Sequence, residues 1–341
     1  MKRFQKFATT AIMTAFLAGF LYQSPVEAKS ISLNYANFPP APTFPCVQME
    51  DWKAKVETQT QGKVRINTFP GGTLLGARDM MDGVISGQAD IGCLCMAYQP
   101  GRFLVTNAVS LPLGIPDSKT GSLVLTDLFK KENPKAFNKV KVLALFTTAP
   151  ANIMSRKRVA TLPDLKGMDL RASGGAAEIL KTWGANQIGM PMSATPEALQ
   201  KGVIQGLFSS LEVMKDLKFA EECAYVTLTN TVVYPFAVIM NLDRWNALPE
   251  DVKTVMEGLS REQALWTGNY MDDHVKEAVT WSKETHKVEF VALDSATSQA
   301  WNQTLSPITD KWIKKASAKG FDGKNIVDTI KTLIQKHGKD S

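Results

Sequence analysis

Strands that alternate with helices are the feature that most restricts the fold of this chain. Residues 31–35 and 64–69 alternate between apolar and polar side chains, and residues 89–95 are predicted as a third, buried strand. Helices are predicted between them over residues 44–60 and 77–86, and a glycine closely follows each. Strands separated by helices form mostly parallel sheets with helices on both faces. The chain is therefore predicted to be an α/β protein.

Residues 162–175 contain the clearest candidate binding group. Pro163 and Asp164 predict a turn, a short strand ends at Arg171, and Ser173 with two glycines leads into a helix. Arg171 thus lies at the carboxyl end of a strand and beside a helix start, where α/β sheets bind ligands and anions are favoured. Its planar guanidinium can hold a carboxylate through two hydrogen bonds. We expect Arg171 to bind the carboxylate of a small organic acid; the alternative is a surface arginine paired with a nearby aspartate.

The amino terminus has the pattern of a secretory signal. Three basic residues among the first six precede an apolar run over residues 7–22, which is short for a membrane span. Val26-Glu27-Ala28 carries small residues at the positions that determine cleavage. We therefore predict that residues 1–28 are a signal peptide that is removed after export.

The rest of the chain has the length and connections of a two-lobed protein. A chain of 341 residues suggests two domains. Residues 229–240 form an apolar, β-rich run that is long enough to pass from one domain to the other. A helical pattern then begins at Pro249 and continues to about residue 287, which suits a helix that bridges two lobes.

Composition and motif spacing argue against several classes of function. The 39 basic and 33 acidic residues give a net charge of +6, and the basic residues are scattered, so nucleic-acid binding is not expected. The three histidines lack metal-ligand spacing, and the chain has neither a nucleophile elbow nor a phosphate-binding loop. Cys93 and Cys95 do not have the spacing of a redox or zinc motif. We predict no enzymatic activity, no cofactor and no metal site; disulfide formation among the four cysteines stays open.

Four segments, in order along the chain, resemble one protein family. Residues 164–171 read Asp-Leu-Lys-Gly-Met-Asp-Leu-Arg and resemble the DLKGxxxR segment of the DctP-type solute-binding proteins of TRAP transporters. Residues 62–71 resemble the early glycine motif of that family. Residues 200–206 resemble its QxGvvDG motif, and residues 245–252 resemble its WxxLpxdv motif. Each motif is weak alone, but together they extend over the chain that follows the signal peptide.

The resemblance implies both a fold and a role. The implied fold is a two-lobed periplasmic binding protein fold of the α/β class, in which a long helix and crossing strands join the lobes. Lobe I would contain residues 29–150 and 237–275, and lobe II residues 151–236 and 276–341. In most members the arginine at the Arg171 position pairs with the ligand carboxylate. The protein would act in the periplasm and deliver its organic acid to the membrane permease subunits of an ion-gradient-driven TRAP transporter.

Departures from the family's pattern indicate the type of ligand. Gln205 stands where aspartate is usual, Ser209 stands where sugar-acid binders have asparagine, and the chain around Ala151 is apolar where some members carry a second arginine. These departures favour a monocarboxylate with an apolar or aromatic tail over a sugar acid or a dicarboxylate. Besides Arg171 and Ser173, the residues expected to contact it are Phe38, Phe44, Met96, Tyr98, Phe208, Ser209 and Tyr234. The alternative for the apolar members is a place in the core.

Two other functions are compatible with the sequence. The same fold can present its ligand to a membrane-bound sensor, and a secreted hydrolase can use paired carboxylates such as Glu221 and Glu222. The lack of a nucleophile motif argues against the hydrolase. The identity of the ligand, the oligomeric state and the participation of a metal in binding are left open.

Overall fold

The computed structural model describes residues 30–340, which form two β-sheets covered by helices. The predicted signal peptide, residues 1–28, lies outside the described residues. Among residues 30–340, no helix has the length and apolar character that a membrane crossing requires.

The strands, in chain order, are β1 (Ile31–Asn37), β2 (Val64–Phe69), β3 (Ile91–Cys95), β4 (Val140–Thr147), β5 (Asn152–Ser155), β6 (Asp169–Arg171), β7 (Asn186–Ile188), β8 (Gly206–Ser209), β9 (Tyr225–Leu228), β10 (Pro235–Asn241) and β11 (Glu289–Ala292). The α-helices are α1 (Phe44–Gln59), α2 (Met80–Ile85), α3 (Ser118–Glu132), α4 (Gly175–Thr182), α5 (Thr195–Gln200), α6 (Val213–Asp216), α7 (Leu242–Asn246), α8 (Glu250–His286), α9 (Ser295–Gln303), α10 (Ser306–Ser317) and α11 (Gly323–His337).

Each sheet contains one strand that runs against the others. The first sheet has the order β2–β1–β3–β10–β4, and β10 is antiparallel to both of its neighbours. The second sheet has the order β11–β9–β5–β8–β6–β7, and β5 is antiparallel to both of its neighbours. All other pairs are parallel. The predicted mostly parallel α/β architecture is therefore confirmed.

Two chain segments cross between the sheets side by side. Residues 148–151 lead from β4 to β5, and residues 229–234 lead from β9 back to β10. The Thr148 amide donates to the Tyr234 carbonyl at 3.0 Å, and the Ala151 amide donates to the Val232 carbonyl at 2.7 Å. The segment predicted over residues 229–240 passes from one sheet to the other, as expected. Only its second half is a strand, because its first half pairs with residues 148–151 and not with a sheet.

The 37-residue helix α8 is the third connection. It packs against α3 and β4 beside the first sheet, and against α6 beside the second. The Asp272 carboxylate accepts hydrogen bonds from the backbone amides at the start of α3, at 2.8 Å from Ser118 and 3.0 Å from residue 119. His274, two residues later, contacts Asp216 at the end of α6. The predicted long helix that joins two lobes is confirmed.

Short elements account for the differences from prediction. The sequence analysis missed β7 and β9, which have only three and four residues and show no clear alternation. Near the carboxyl terminus, Pro307 lies in the first turn of α10 and separates this helix from α9. The lobe boundaries stay a prediction. The carboxyl-terminal helix α11 packs against α3, while Trp301 in α9 contacts Trp183 with ring centroids 5.0 Å apart.

Two glycines of α8 provide a matched test of the packing between α8 and α3. A Cβ atom added at Gly268 would lie 2.5 Å from the Cα of Lys119, whereas one at the exposed Gly258 would meet nothing within 4 Å. We expect Gly268→Ala to lower the free energy of unfolding by about 1–3 kcal/mol through overpacking. We expect Gly258→Ala to raise it by about 0.5–1 kcal/mol because alanine favours helix. Urea unfolding of the two variants measures both changes, and equal stability would contradict the close approach of α8 to α3.

Candidate ligand-binding site

A cavity lies between the two sheets, where strands of both sheets end. It contains about 490 Å³ of space that protein atoms do not fill. The carboxyl ends of β1, β3 and β4 border it from the first sheet, and those of β6 and β8 border it from the second. The lining residues are Phe38, Pro39, Thr43, Phe44, Pro45, Cys95, Tyr98, Thr148, Arg171, Met192, Ser209, Glu212, Val213, Asp216, Leu217, Tyr234 and Phe236.

Arg171, the last residue of β6, supplies a buried positive charge to this cavity. The residue is 1% exposed. Its Nε donates to the Met190 carbonyl at 3.0 Å, and its Nη2 donates to the Ser173 hydroxyl at 3.2 Å. The Ser173 hydroxyl in turn donates to the Met190 carbonyl at 3.1 Å. These neutral partners fix the direction of the guanidinium and leave its charge unmatched.

The charge of Arg171 has no acidic partner in the described part of the chain. None of the ion pairs within residues 30–340 includes Arg171, and its Nη1 donates no hydrogen bond there. The alternative of a surface arginine paired with an aspartate therefore does not describe this residue. A buried ion without a partner is unfavourable, so the arrangement favours an anion that enters the cavity.

Tyr98 connects the two sides of the cavity. It follows β3 of the first sheet, and its hydroxyl accepts a hydrogen bond from the Met192 amide at 3.0 Å. The Arg171 Nη2 lies 3.5 Å from the same hydroxyl. Burial raises the pKa of Tyr98 to about 12, so the phenol is neutral at neutral pH. The hydroxyl therefore does not neutralise Arg171.

Aromatic rings form the apolar wall of the cavity. Phe38 meets Tyr98 edge to face, with ring centroids 5.5 Å apart, and Phe44 meets Phe236 in the same way at 5.3 Å. Tyr234 is buried, and its hydroxyl donates to the Phe208 carbonyl at 2.7 Å. Edge-to-face rings exclude water and accept flat apolar groups. The cavity thus has one charged end and an aromatic body.

An acidic group that the sequence analysis did not identify lies in the same cavity. Glu212 and Asp216 are buried, and both line the cavity. Asp216 Oδ1 lies 2.7 Å from Nε2 of His274 in α8, and this hydrogen bond raises the pKa of His274. Burial raises the pKa of Glu212 to about 7. The sequence feature that could have identified Glu212 as a site residue is its position three residues after the end of β8.

The structure brings six of the nine predicted site residues to the cavity. Each of them lies at or next to the end of a strand, or at the start of a helix. These lining residues are Arg171, Phe38, Phe44, Tyr98, Ser209 and Tyr234.

Three predicted residues and the predicted helix start lie outside the lining. Ser173 contacts the guanidinium of Arg171 and not the cavity. Met96 is fully buried in the core, and the ring of Phe208 packs on Trp183 because neighbouring strand residues point to opposite faces. The start of α4 faces the first-sheet side: a Cβ on Gly174 would lie 2.9 Å from the Cβ of Ala97.

Apart from Cys95, which lines the cavity, the other groups that the sequence analysis weighed lie away from the cavity lining. Of the paired carboxylates Glu221 and Glu222, Glu222 forms an ion pair with Arg156, and neither lines the cavity. All four cysteines are buried and free, so none forms a disulfide in this structure. Burial raises the pKa of Cys46 and of Cys95, and hence these thiols are protonated at neutral pH.

Comparison with known proteins identifies the family. The family model described as bacterial extracellular solute-binding protein, family 7 (DctP) matches residues 39–315. A TRAP periplasmic solute-binding protein from Desulfovibrio salexigens is 54% identical, with a TM-score of 0.81 over 90% of this chain and 97% of that one.

Two more distant relatives have reported ligands. A marine metagenome TRAP solute-binding protein specific for aromatic acid ligands, solved with metahydroxyphenylacetate, is 27% identical with a TM-score of 0.86, over 90% of this chain and 99% of that one. The 2,3-diketo-L-gulonate-binding periplasmic protein YiaO of Escherichia coli is 25% identical over 94% of this chain and 98% of its own. The family match and the shared two-sheet fold agree with the resemblance of the four sequence motifs. This chain belongs to the DctP family of extracellular solute-binding proteins that serve TRAP transporters.

Proposed function

We propose that this protein captures a small organic monocarboxylate with an apolar or aromatic tail and delivers it to a TRAP permease driven by an ion gradient. The observation that carries the proposal is the buried guanidinium of Arg171, which faces an aromatic cavity without an acidic partner among residues 30–340. Capture takes place in the periplasm after removal of the signal peptide. The protein performs no chemistry on its ligand.

The charge balance supports a carboxylate at Arg171. Nε and Nη2 are already used by Met190 and Ser173, and Nη1 has no acceptor in the described chain. A ligand carboxylate supplies acceptor oxygens and the missing negative charge together. The interaction takes place away from bulk water, which strengthens it.

The aromatic wall supports an apolar or aromatic tail. Phe38, Phe44 and Phe236 are each 5% exposed or less and contact one another around the cavity. The relative specific for aromatic acids, 27% identical to this chain, supports the same class of ligand.

The contacts across the cavity support closure around the ligand. Tyr98 belongs to the first-sheet side, whereas Met192 and Arg171 belong to the second-sheet side. A ligand that touches both sides binds the closed arrangement better than an open one, and this difference shifts the population towards closure. The two crossing segments and α8 are the connections about which the sides would move.

A thermal-shift screen of residues 29–341 against organic acids tests the ligand class. We expect hits among aromatic or branched monocarboxylates. A ligand at a hundred times its Kd stabilises the folded state by about 2.7 kcal/mol, which raises the Tm by a few degrees in a protein of this size. Hits confined to sugar acids or dicarboxylates would contradict the proposed tail. The lack of any acid hit would contradict the role of Arg171.

Substitution of Arg171 tests the carboxylate contact directly. Removal of one partner of a buried ion pair costs about 3–5 kcal/mol, or about two to four decades in affinity. We expect Arg171→Ala to bind the best acid from the screen at least about a hundredfold more weakly in calorimetry. Arg171→Lys keeps the charge but loses the planar fork, so we expect an intermediate loss.

Arg158→Ala is the matched control, because Arg158 is exposed and pairs with Glu289 away from the cavity. Its affinity should equal that of the wild type. Circular dichroism of all three variants checks that each is folded. An unchanged affinity of the folded Arg171→Ala variant would remove the basis of the proposal.

A further inference from the structure

We propose that Glu212 accepts a hydrogen bond from an O–H or N–H group that the ligand carries at a distance from its carboxylate. This inference rests on the proposed function, since it assigns the second polar contact of the same acid. It narrows the ligand class from an acid with an apolar tail to one whose tail also carries a donor.

The position of Glu212 is the first observation. The residue lies between β8 and α6, is 2% exposed and lines the cavity. Its Oε2 has no hydrogen-bond partner among residues 30–340. Buried polar atoms in folded proteins are nearly always hydrogen-bonded. A buried, unpartnered carboxylate oxygen on a residue that lines a ligand cavity is therefore a group that can accept a hydrogen bond from a ligand.

The charged surroundings of Glu212 are the second observation. Asp216 in α6 pairs through Oδ1 with His274 in α8, whose ring also lies 3.4 Å from Glu277, while the Asp216 Oδ2, like the Glu212 Oε2, has no hydrogen-bond partner in the described chain. No ion pair within the described chain includes Glu212. The Ser210 hydroxyl is near enough to lower the pKa of Glu212 but does not have the geometry of a hydrogen bond. Within the cavity, Glu212 is the acidic side chain without a basic partner.

The protonation of Glu212 makes the contact measurable. Burial and the neighbouring Asp216 raise the pKa of Glu212 to about 7, while His274 opposes the rise. A ligand donor stabilises the ionised carboxylate and so lowers this pKa. Binding near neutral pH is therefore coupled to the release of a proton from Glu212.

The same groups discriminate against a second ligand carboxylate. Such a group would approach both Asp216 and Glu212, and it would be repelled by the negative charge of Asp216 and, above the Glu212 pKa of about 7, by that of Glu212 as well. A hydroxyl or an amine meets no such repulsion. The two acidic residues thus select for one carboxylate, at Arg171, and for a donor at the acidic end of the cavity.

A matched series of benzoic and phenylacetic acids tests the inference. Each parent acid is compared with its ring-hydroxylated, ring-aminated and ring-methylated forms in calorimetry with the wild type. We expect at least one hydroxyl or amino isomer to bind about tenfold or more tightly than its parent and its methyl analogue. Comparison of the hydroxyl and amino arms identifies which donor the site takes.

Variants of Glu212 connect that preference to this residue. In Glu212→Leu, which removes the acceptor and adds apolar volume, we expect the preference to vanish while the parent acid still binds. In Glu212→Gln, the amide oxygen remains an acceptor, so part of the preference should remain. Glu221→Gln, an exposed carboxylate that does not line the cavity, is the control and should behave like the wild type.

Proton exchange provides the second readout. Calorimetry at pH 7 in two buffers of different ionisation enthalpy should show release of about half a proton per donor-bearing ligand, because the Glu212 pKa is about 7. The Glu212→Gln variant should not show this proton release. Asp216 and His274 are unchanged in that variant, so any proton exchange that remains comes from them. Proton uptake by the wild type would mean that Glu212 donates, which would overturn the inference.

The outcomes separate the inference from the proposed function. If acids bind without a donor preference, or if the preference survives in Glu212→Leu, the inference is wrong while acid capture stands. If no acid of the screen binds, the proposed function is wrong and this inference falls with it.

Discussion

The structure depends on a positive charge that the fold buries and does not neutralise. Arg171 ends a strand of the second sheet, and the Met190 carbonyl and the Ser173 hydroxyl hold its guanidinium through neutral hydrogen bonds. Neutral partners orient the group without cancelling its charge, so the cavity attracts anions. The aromatic rings opposite keep water out and strengthen that attraction. Under the proposed function, specificity for an acid and affinity for its tail are supplied by different sides of one cavity.

Much of the fold could be predicted because its strands and helices are regular. The β2 strand has the bounds that its alternation predicts, and α1 differs from its predicted bounds by one residue. Arg171 could be found because a strand end beside a glycine-rich helix start is a local pattern. That local pattern was incomplete: the start of α4 packs on the first-sheet side and leaves the arginine alone at the cavity.

The rest of the site depends on long-range packing that local sequence does not encode. Glu212 and Asp216 are ordinary acidic residues in the sequence, and the contact of Asp216 with His274 requires α8 to pack beside α6. Phe208 and Ser209 are adjacent, yet strand alternation sends one ring into the core and the other side chain to the cavity. A shift of one residue in register reverses such assignments.

The exchange of strands between the sheets has a consequence for how the chain folds. In the first sheet, β10 joins β3 to β4, and β10 follows nearly all of the second sheet along the chain. As the chain is synthesised from its amino terminus, neither sheet can be completed before strands that lie late in the sequence have been made. The first sheet stays divided until residue 241 has emerged, and the second lacks an edge until β11 arrives near residue 292. Both sheets therefore depend on pairings between strands that lie far apart in the chain, which slows folding relative to a fold built from local contacts.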